Sequence, residues 1–189
     1  SKFDQAIRTD SKEELDPEVI RGFNLFMGKA ACGTCHFAPT FSGLVPPSFK
    51  ESEAEVLGVA STKANKYLDP DYGRSANGNV KEKADHTQHA FKTVTVRNAE
   101  LTAPYMHNGA YETLEEVMDF YNKGGGQGLG FELEFQTLGA DPLELEEDEI
   151  AAIIKFMESL TDNKHKAVPS KLPSFENEVW NKRKIGGIY

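Results

Sequence analysis

The chain has 189 residues, 39% of them hydrophobic and 27% charged, with a formal net charge of −9 and only two cysteines. Such a balance predicts one soluble globular domain of ordinary size, with or without a tail. It excludes a nucleic-acid binder, which needs a basic footprint, and no apolar run approaches the length that crosses a bilayer.

The opening residues Ser1-Lys2-Phe3-Asp4 are polar and lack the apolar stretch of a signal peptide, and there is no initiator methionine. A processed protein or a fragment is therefore expected. From Asp16 the pattern becomes helical. Asp16 is a suitable N-cap, Pro17 suits the first helical position, and Val19, Ile20, Phe23, Phe26 and Met27 recur at helical spacing before Gly28 stops the helix.

Cys32-Gly33-Thr34-Cys35-His36 follows within a few residues. Two cysteines two residues apart with a histidine directly after are the attachment signature of c-type haem. The thiols add across the porphyrin vinyl groups, and the histidine becomes one axial ligand of the iron. The competing readings need more than the sequence offers. Structural zinc takes four Cys or His ligands, so it would have to recruit His86, His89, His107 or His165, and a thioredoxin-like pair wants a βαβ pattern. A plain disulfide is the remaining alternative. Haem c attachment implies maturation outside the bacterial cytoplasm, so a removed export signal and a periplasmic location are expected.

Between Phe37 and Gln88 little regular structure is predicted. Pro39, Pro46 and Pro47 punctuate it, and Asp69-Pro70-Asp71-Tyr72-Gly73 and Asn77-Gly78-Asn79 are turn chemistry. Phe37, Phe41, Leu44 and Phe49 are equally suited to pack on a haem or in an ordinary core. Phe91 to Asn98 alternates weakly and leads into Leu101-Thr102-Ala103-Pro104-Tyr105-Met106-His107-Asn108-Gly109. Met106, His107 and Arg97 bring a thioether, an imidazole and a guanidinium within reach of an iron or its propionates.

Thr113-Leu114-Glu115-Glu116 reads as a capping box. The helix behind it sets Leu114, Val117, Met118 and Tyr121 on one face. Gly124-Gly125-Gly126 ends that helix, and the glycine run to Gly130 reads as a flexible link, since no Lys-Ser or Lys-Thr follows to make a phosphate loop. A last helix is expected near the acidic run Glu144 to Glu149, with Ile150, Ile153, Ile154, Met157 and Leu160 as its buried stripe. It should pack on the helix from Asp16. Residues 1–162 are expected to form the domain and 163–189 a tail or strap.

With CGTCH, FKTVTVRN, LTAPYMHNGAY and TLEEVMDFYNKGG in that order, the chain resembles the C-terminal haem domain of the bacterial dihaem cytochrome c peroxidase and MauG family, from about Val19 to Leu160. The resemblance implies an all-α, loop-rich cytochrome c fold carrying one covalent haem c, a separate N-terminal haem domain where peroxide reacts, and a calcium ion between the two. It also implies a small electron-donor protein, such as a cytochrome c or cupredoxin, as partner. His36 matches the proximal ligand, and Thr102 and Pro104 match the two positions that lend carbonyl oxygens to calcium, a metal that takes oxygen donors. Nineteen residues beyond the calcium threonine the peroxidases place a methionine ligand and the MauG enzymes a tyrosine. Counting from Thr102 lands on Tyr121, with Met106 the runner-up and Met118 third. Arg97 and Asn98 match an arginine-asparagine pair, and Arg97 is assigned to a propionate. Ala30 stands where MauG has a tryptophan linking its haems. No catalytic acid or base is expected here, because those groups belong to the other domain. The rival reading is a stand-alone monohaem electron carrier, and a third is a haem-free chain.

Overall fold

A computed structural model describes residues 1–9, 15–64, 66–76 and 85–162. The tail expected from residue 163, the turn at Asn77-Gly78-Asn79 and His165 lie outside the described residues. Among the described residues, five α-helices and two short strands are connected by long loops: α1 (Lys2–Thr9), α2 (Pro17–Met27), β1 (Ala54–Val56), β2 (Ala90–Lys92), α3 (Leu114–Asn122), α4 (Gly125–Gly128) and α5 (Glu147–Ser159). The all-α expectation is therefore corrected to a mixed, loop-rich α/β architecture. β1 and β2 pair antiparallel, Ala54 with Lys92, Glu55 with Phe91 and Val56 with Ala90. Three-residue strands are too short to carry a readable period of two, and the weak alternation after Phe91 was their only trace.

The helix signals act as the chain suggests. Asp16 caps α2 by accepting from the Glu18 amide, and Thr113 caps α3 by accepting from the Glu116 amide. The return half of that box shifts by one residue, with Glu116 accepting from the Glu112 amide at 2.6 Å. At α5, the Glu149 carboxylate accepts from the Glu146 amide at 3.0 Å.

α2 packs on α5 through a contact that only glycine permits, because a Cβ on Gly22 would stand 1.9 Å from the Ala152 carbonyl oxygen. Around this crossing Phe3, Phe23, Phe26, Phe41 and Phe156 interlock, with ring centroids 5.2–6.1 Å apart and mostly edge to face, the arrangement that aromatic quadrupoles favour. Ile153, Met157 and Leu160 complete this core, and Ile150 sits at its margin. Arg21 to Asp148, Lys29 to Glu149 and Asp16 to Lys155 lace the two helices at their surface.

The glycine run is a packing device rather than a flexible link. Gly125 and Gly126 are buried, the Gly126 amide donates to the Leu57 carbonyl at 2.9 Å, and a Cβ on Gly126 would stand 2.5 Å from the Gly58 oxygen. The backbone of the loop after β1 thus lies directly against the segment that follows α3.

Candidate haem c site

The motif begins as a single turn of 3₁₀ helix, Cys32–Thr34, immediately after α2. The Cys35 and His36 amides both donate to the Cys32 carbonyl, at 3.3 and 2.9 Å, which turns the two thiols and the imidazole around one backbone loop. Cys32 packs against the α2–α5 core, and its thiol, pushed up to about 12 by burial, is held protonated. Cys35 is half-buried and also raised, first by burial and then by the charge of Glu55. Neither cysteine is bridged.

His36 is the best-defined group. Its Nδ1 lies 3.3 Å from the Phe41 carbonyl oxygen, and its ring stands 6.2 Å from Phe26. Burial holds the imidazole below its ordinary value, against the opposing pull of backbone hydrogen bonds to Phe41 and Val94 and of the Glu55 charge. A neutral imidazole anchored through Nδ1 presents Nε2 as a lone-pair donor, the form in which histidine binds metals.

Tyr121 sits in the last turn of α3, half-buried, and joins Met106, Ala110 and Val117 around Val59, Tyr111 and Phe120. Its phenol is driven far above its ordinary value, first by burial and then by Cys32, Cys35 and Glu55. Among the described residues its hydroxyl makes no hydrogen bond, and the buried side-chain oxygen left without a partner is Thr93 Oγ1.

The other candidates separate. Met106 shares the Tyr121 cluster and has left-handed backbone, φ +68°. Met118 is 3% exposed and belongs to the α2–α5 core with Phe26, so the two residues expected on one helix face serve different clusters. His107 stacks on Phe91, centroids 3.6 Å apart, and its Nε2 lies 3.3 Å from Asp69. Asn108 donates to the same carboxylate at 2.8 Å. Arg97 grips Asp4 and the Pro39 carbonyl and lies over the Phe41 ring. Thr102 and Pro104 lie in the loop before the Tyr105–Tyr111 bridge, and among the described residues neither carbonyl accepts a hydrogen bond. His89 is bound to the Asp71 carbonyl and stacked on Tyr72. Among the described residues no group of three or more His, Cys, Asp or Glu could hold a metal ion.

Two participants were missed by sequence reasoning. Glu55, on β1, couples to Cys35, His36 and Tyr121, and its alternation with Glu53 was the only signal. Phe41 supplies the carbonyl for His36 from left-handed backbone, φ +47°, a conformation that nothing in a phenylalanine announces.

The donor set fits a c-type haem. It comprises two thiols on one turn and a buried imidazole whose Nδ1 is held by the Phe41 carbonyl.

No family model matches the chain. It is 34% identical over 175 residues to the cytochrome-c peroxidase IdrP2 of Denitromonas iodatirespirans, covering 85% of this chain and 44% of that protein. It is 30% identical over 182 residues to the cytochrome c551 peroxidase of Nitrosomonas europaea, covering 95% and 44%. Against the methylamine utilization protein MauG of Methylorubrum extorquens the identity is 33% over 148 residues, covering 77% and 35%. The chain thus spans less than half the length of these curated relatives. Among solved structures, it is similar to a MauG-like protein associated with microbial copper homeostasis, with a TM-score of 0.62 and 26% identity over 86% of this chain and 51% of that one.

Proposed function

We propose, from the premise that this chain belongs to the cytochrome-c peroxidase and MauG family, that it is the electron-transfer haem domain of a dihaem oxidoreductase of that family. Its one haem c would exchange electrons with a second haem domain that reacts with hydrogen peroxide. The observation that carries this reading is the Cys32–His36 turn, where the Cys35 and His36 amides share the Cys32 carbonyl and the Phe41 carbonyl anchors the His36 ring.

When bound, haem c supplies an iron whose potential is set largely by its two axial donors. Cys32 and Cys35 would hold the group, and His36 would offer it Nε2 while Nδ1 donates to the Phe41 carbonyl. Tyr121 would offer its phenol oxygen as the second donor. The phenol is held well above its ordinary value, first by burial, so it would ionise only beside a positive charge such as a bound metal ion. An anionic oxygen favours the oxidised metal, which suits a site that holds oxidising equivalents as MauG-type enzymes do. Methionine sulfur favours the reduced state and electron entry. Met106, in the same cluster, is the alternative donor.

The free carbonyls of Thr102 and Pro104 are offered to a calcium ion at the boundary with the second haem domain, in keeping with the oxygen preference of calcium. Calcium titration that leaves amide exchange unchanged across residues 99–108 would remove them from this role. A periplasmic location and a small electron-donor protein complete the reading, and no described helix is long and apolar enough to cross a membrane. The test is a mass measurement with peroxide turnover. One haem retained through denaturation, with turnover only when the second haem domain is present, supports the assignment. Turnover by this chain alone contradicts it, and reversible reduction with no effect on such a domain returns it to a stand-alone electron carrier.

A further inference from the structure

We infer that Arg97 and Asp4 form a clamp that positions the proximal histidine, and so tunes the electron donation of His36 from the first helix of the chain. The inference rests on the haem c reading of Cys32 to His36.

A guanidinium has five N–H donors, and four hydrogen bonds engage those of Arg97. Nη1 and Nη2 donate to the two carboxylate oxygens of Asp4, each at 2.9 Å. Nη2 and Nε converge on the Pro39 carbonyl at 2.6 and 3.1 Å. The same group lies 5.3 Å from the centroid of the Phe41 ring. Arg97 therefore ties α1 to the loop between His36 and Phe41, by a fork that a lysine cannot reproduce.

That loop ends on the atom that orients His36. Phe41 has φ +47°, a region costly for a side chain with a Cβ and sustained only where the surroundings impose it. Four contacts impose it. The Phe3 ring of α1 packs on Phe41 at 6.0 Å, the Arg97 plane covers it, the Val96 amide donates to its carbonyl at 2.9 Å, and the Thr95 hydroxyl donates to the Thr40 carbonyl at 2.7 Å. Held in this way, the Phe41 carbonyl accepts from His36 Nδ1. A carbonyl that accepts from Nδ1 raises the basicity of the metal-facing nitrogen, which lowers the potential of the metal it binds. Loosening the clamp weakens that acceptor and raises the potential.

Arg97 held for its charge near a propionate makes the opposite forecast, because removing a cation beside the group favours the oxidised state and lowers the potential. The test compares Arg97→Lys, Arg97→Ala and Asp4→Asn in the haem-loaded protein by redox titration and ferric paramagnetic resonance, with amide exchange over residues 37–43 measured on the same samples. The clamp predicts a higher midpoint potential, altered resonance and faster exchange in all three, with Arg97→Lys close to Arg97→Ala. A wild-type-like Arg97→Lys beside a lowered potential in Arg97→Ala overturns it in favour of a charge role. If Arg97→Ala does not fold, Arg97→Lys and Asp4→Asn decide, since Asp4 lies on a separate helix. If the wild type carries no haem, the underlying site reading fails, and the clamp then stands or falls on whether the substitutions accelerate exchange at residues 37–43.

Discussion

The carbonyl oxygen of Phe41 stands 3.3 Å from Nδ1 of His36, and Phe41 itself is 2% exposed in the aromatic core between α1, α2 and α5. The proximal side of the site is thus an extension of the hydrophobic core, with its geometry inherited from ring packing. The distal side is built differently. Tyr121 arrives on α3, from a separate cluster around Tyr111 and Phe120, and its position is fixed by a helix terminus.

The first prediction follows from that asymmetry. Tyr121→Phe keeps the ring that packs on Phe120 at 5.5 Å and removes only the hydroxyl. It should change the ferric absorption spectrum and raise the midpoint potential by on the order of 0.1 V, a modest part of the span that axial ligands command, with little effect on melting. An unchanged spectrum rules Tyr121 out as a ligand and leaves Met106 to be replaced next.

Glu55 offers a second handle. Its charge acts on Cys35, His36 and Tyr121, so Glu55→Gln should raise the potential by on the order of 40 mV, the size of a screened interaction of about 1 kcal/mol. Raising the salt concentration should shrink the difference between variant and wild type. A potential that falls, or does not move at low salt, would separate Glu55 from the site.

The Asp4–Arg97 pair sets a pH dependence. The Arg97 guanidinium, helped by the Ser1 groups, holds the Asp4 carboxyl well below its ordinary value of 3.8. A carboxylate lowered in the folded state stabilises it fully above that ordinary value and progressively less as acid protonates it. Asp4→Asn should therefore cost about 1–2 kcal/mol at pH 7, as suits a partly exposed bidentate pair. Wild type and variant should converge as the pH falls below 3.8. Denaturant titrations at several pH values read this directly, and a gap that widened in acid would show that Asp4 is not stabilised as a carboxylate.

At the helix crossing, Gly22→Val should destabilise by about 3 kcal/mol or more, because the new Cβ would overlap the Ala152 carbonyl and overpacking of a filled core costs of this order. The measurement is chemical denaturation with an unchanged slope. Tolerance of valine would mean that α2 and α5 are not in the contact described.

Much of the fold was legible where local chemistry is strong. Asp16, Pro17 and Gly28 frame α2, Thr113 opens α3, and Ile153, Met157 and Leu160 face the core, all through caps and periodicity that act within a turn or two. The haem motif was legible for the same reason. What stayed hidden depends on residues far apart in sequence. The pairing of Glu55 with Phe91 leaves almost no periodic trace in three residues. The glycines from Gly124 onward read as a flexible link because the Leu57–Gly58 backbone that lies against them is more than sixty residues away in sequence. Met118 and Tyr121 share a helix face in projection, yet the break between two clusters runs between them. Arg97 gave no sign that Asp4, 93 residues away, would take its fork.

The most direct measurement is the ferric absorption and paramagnetic-resonance spectrum of the protein isolated with its cofactor. The expected result is one covalently held haem with histidine and tyrosinate as axial donors and no sulfur-to-iron charge-transfer band. A spectrum without haem, or one carrying that sulfur band, would contradict it.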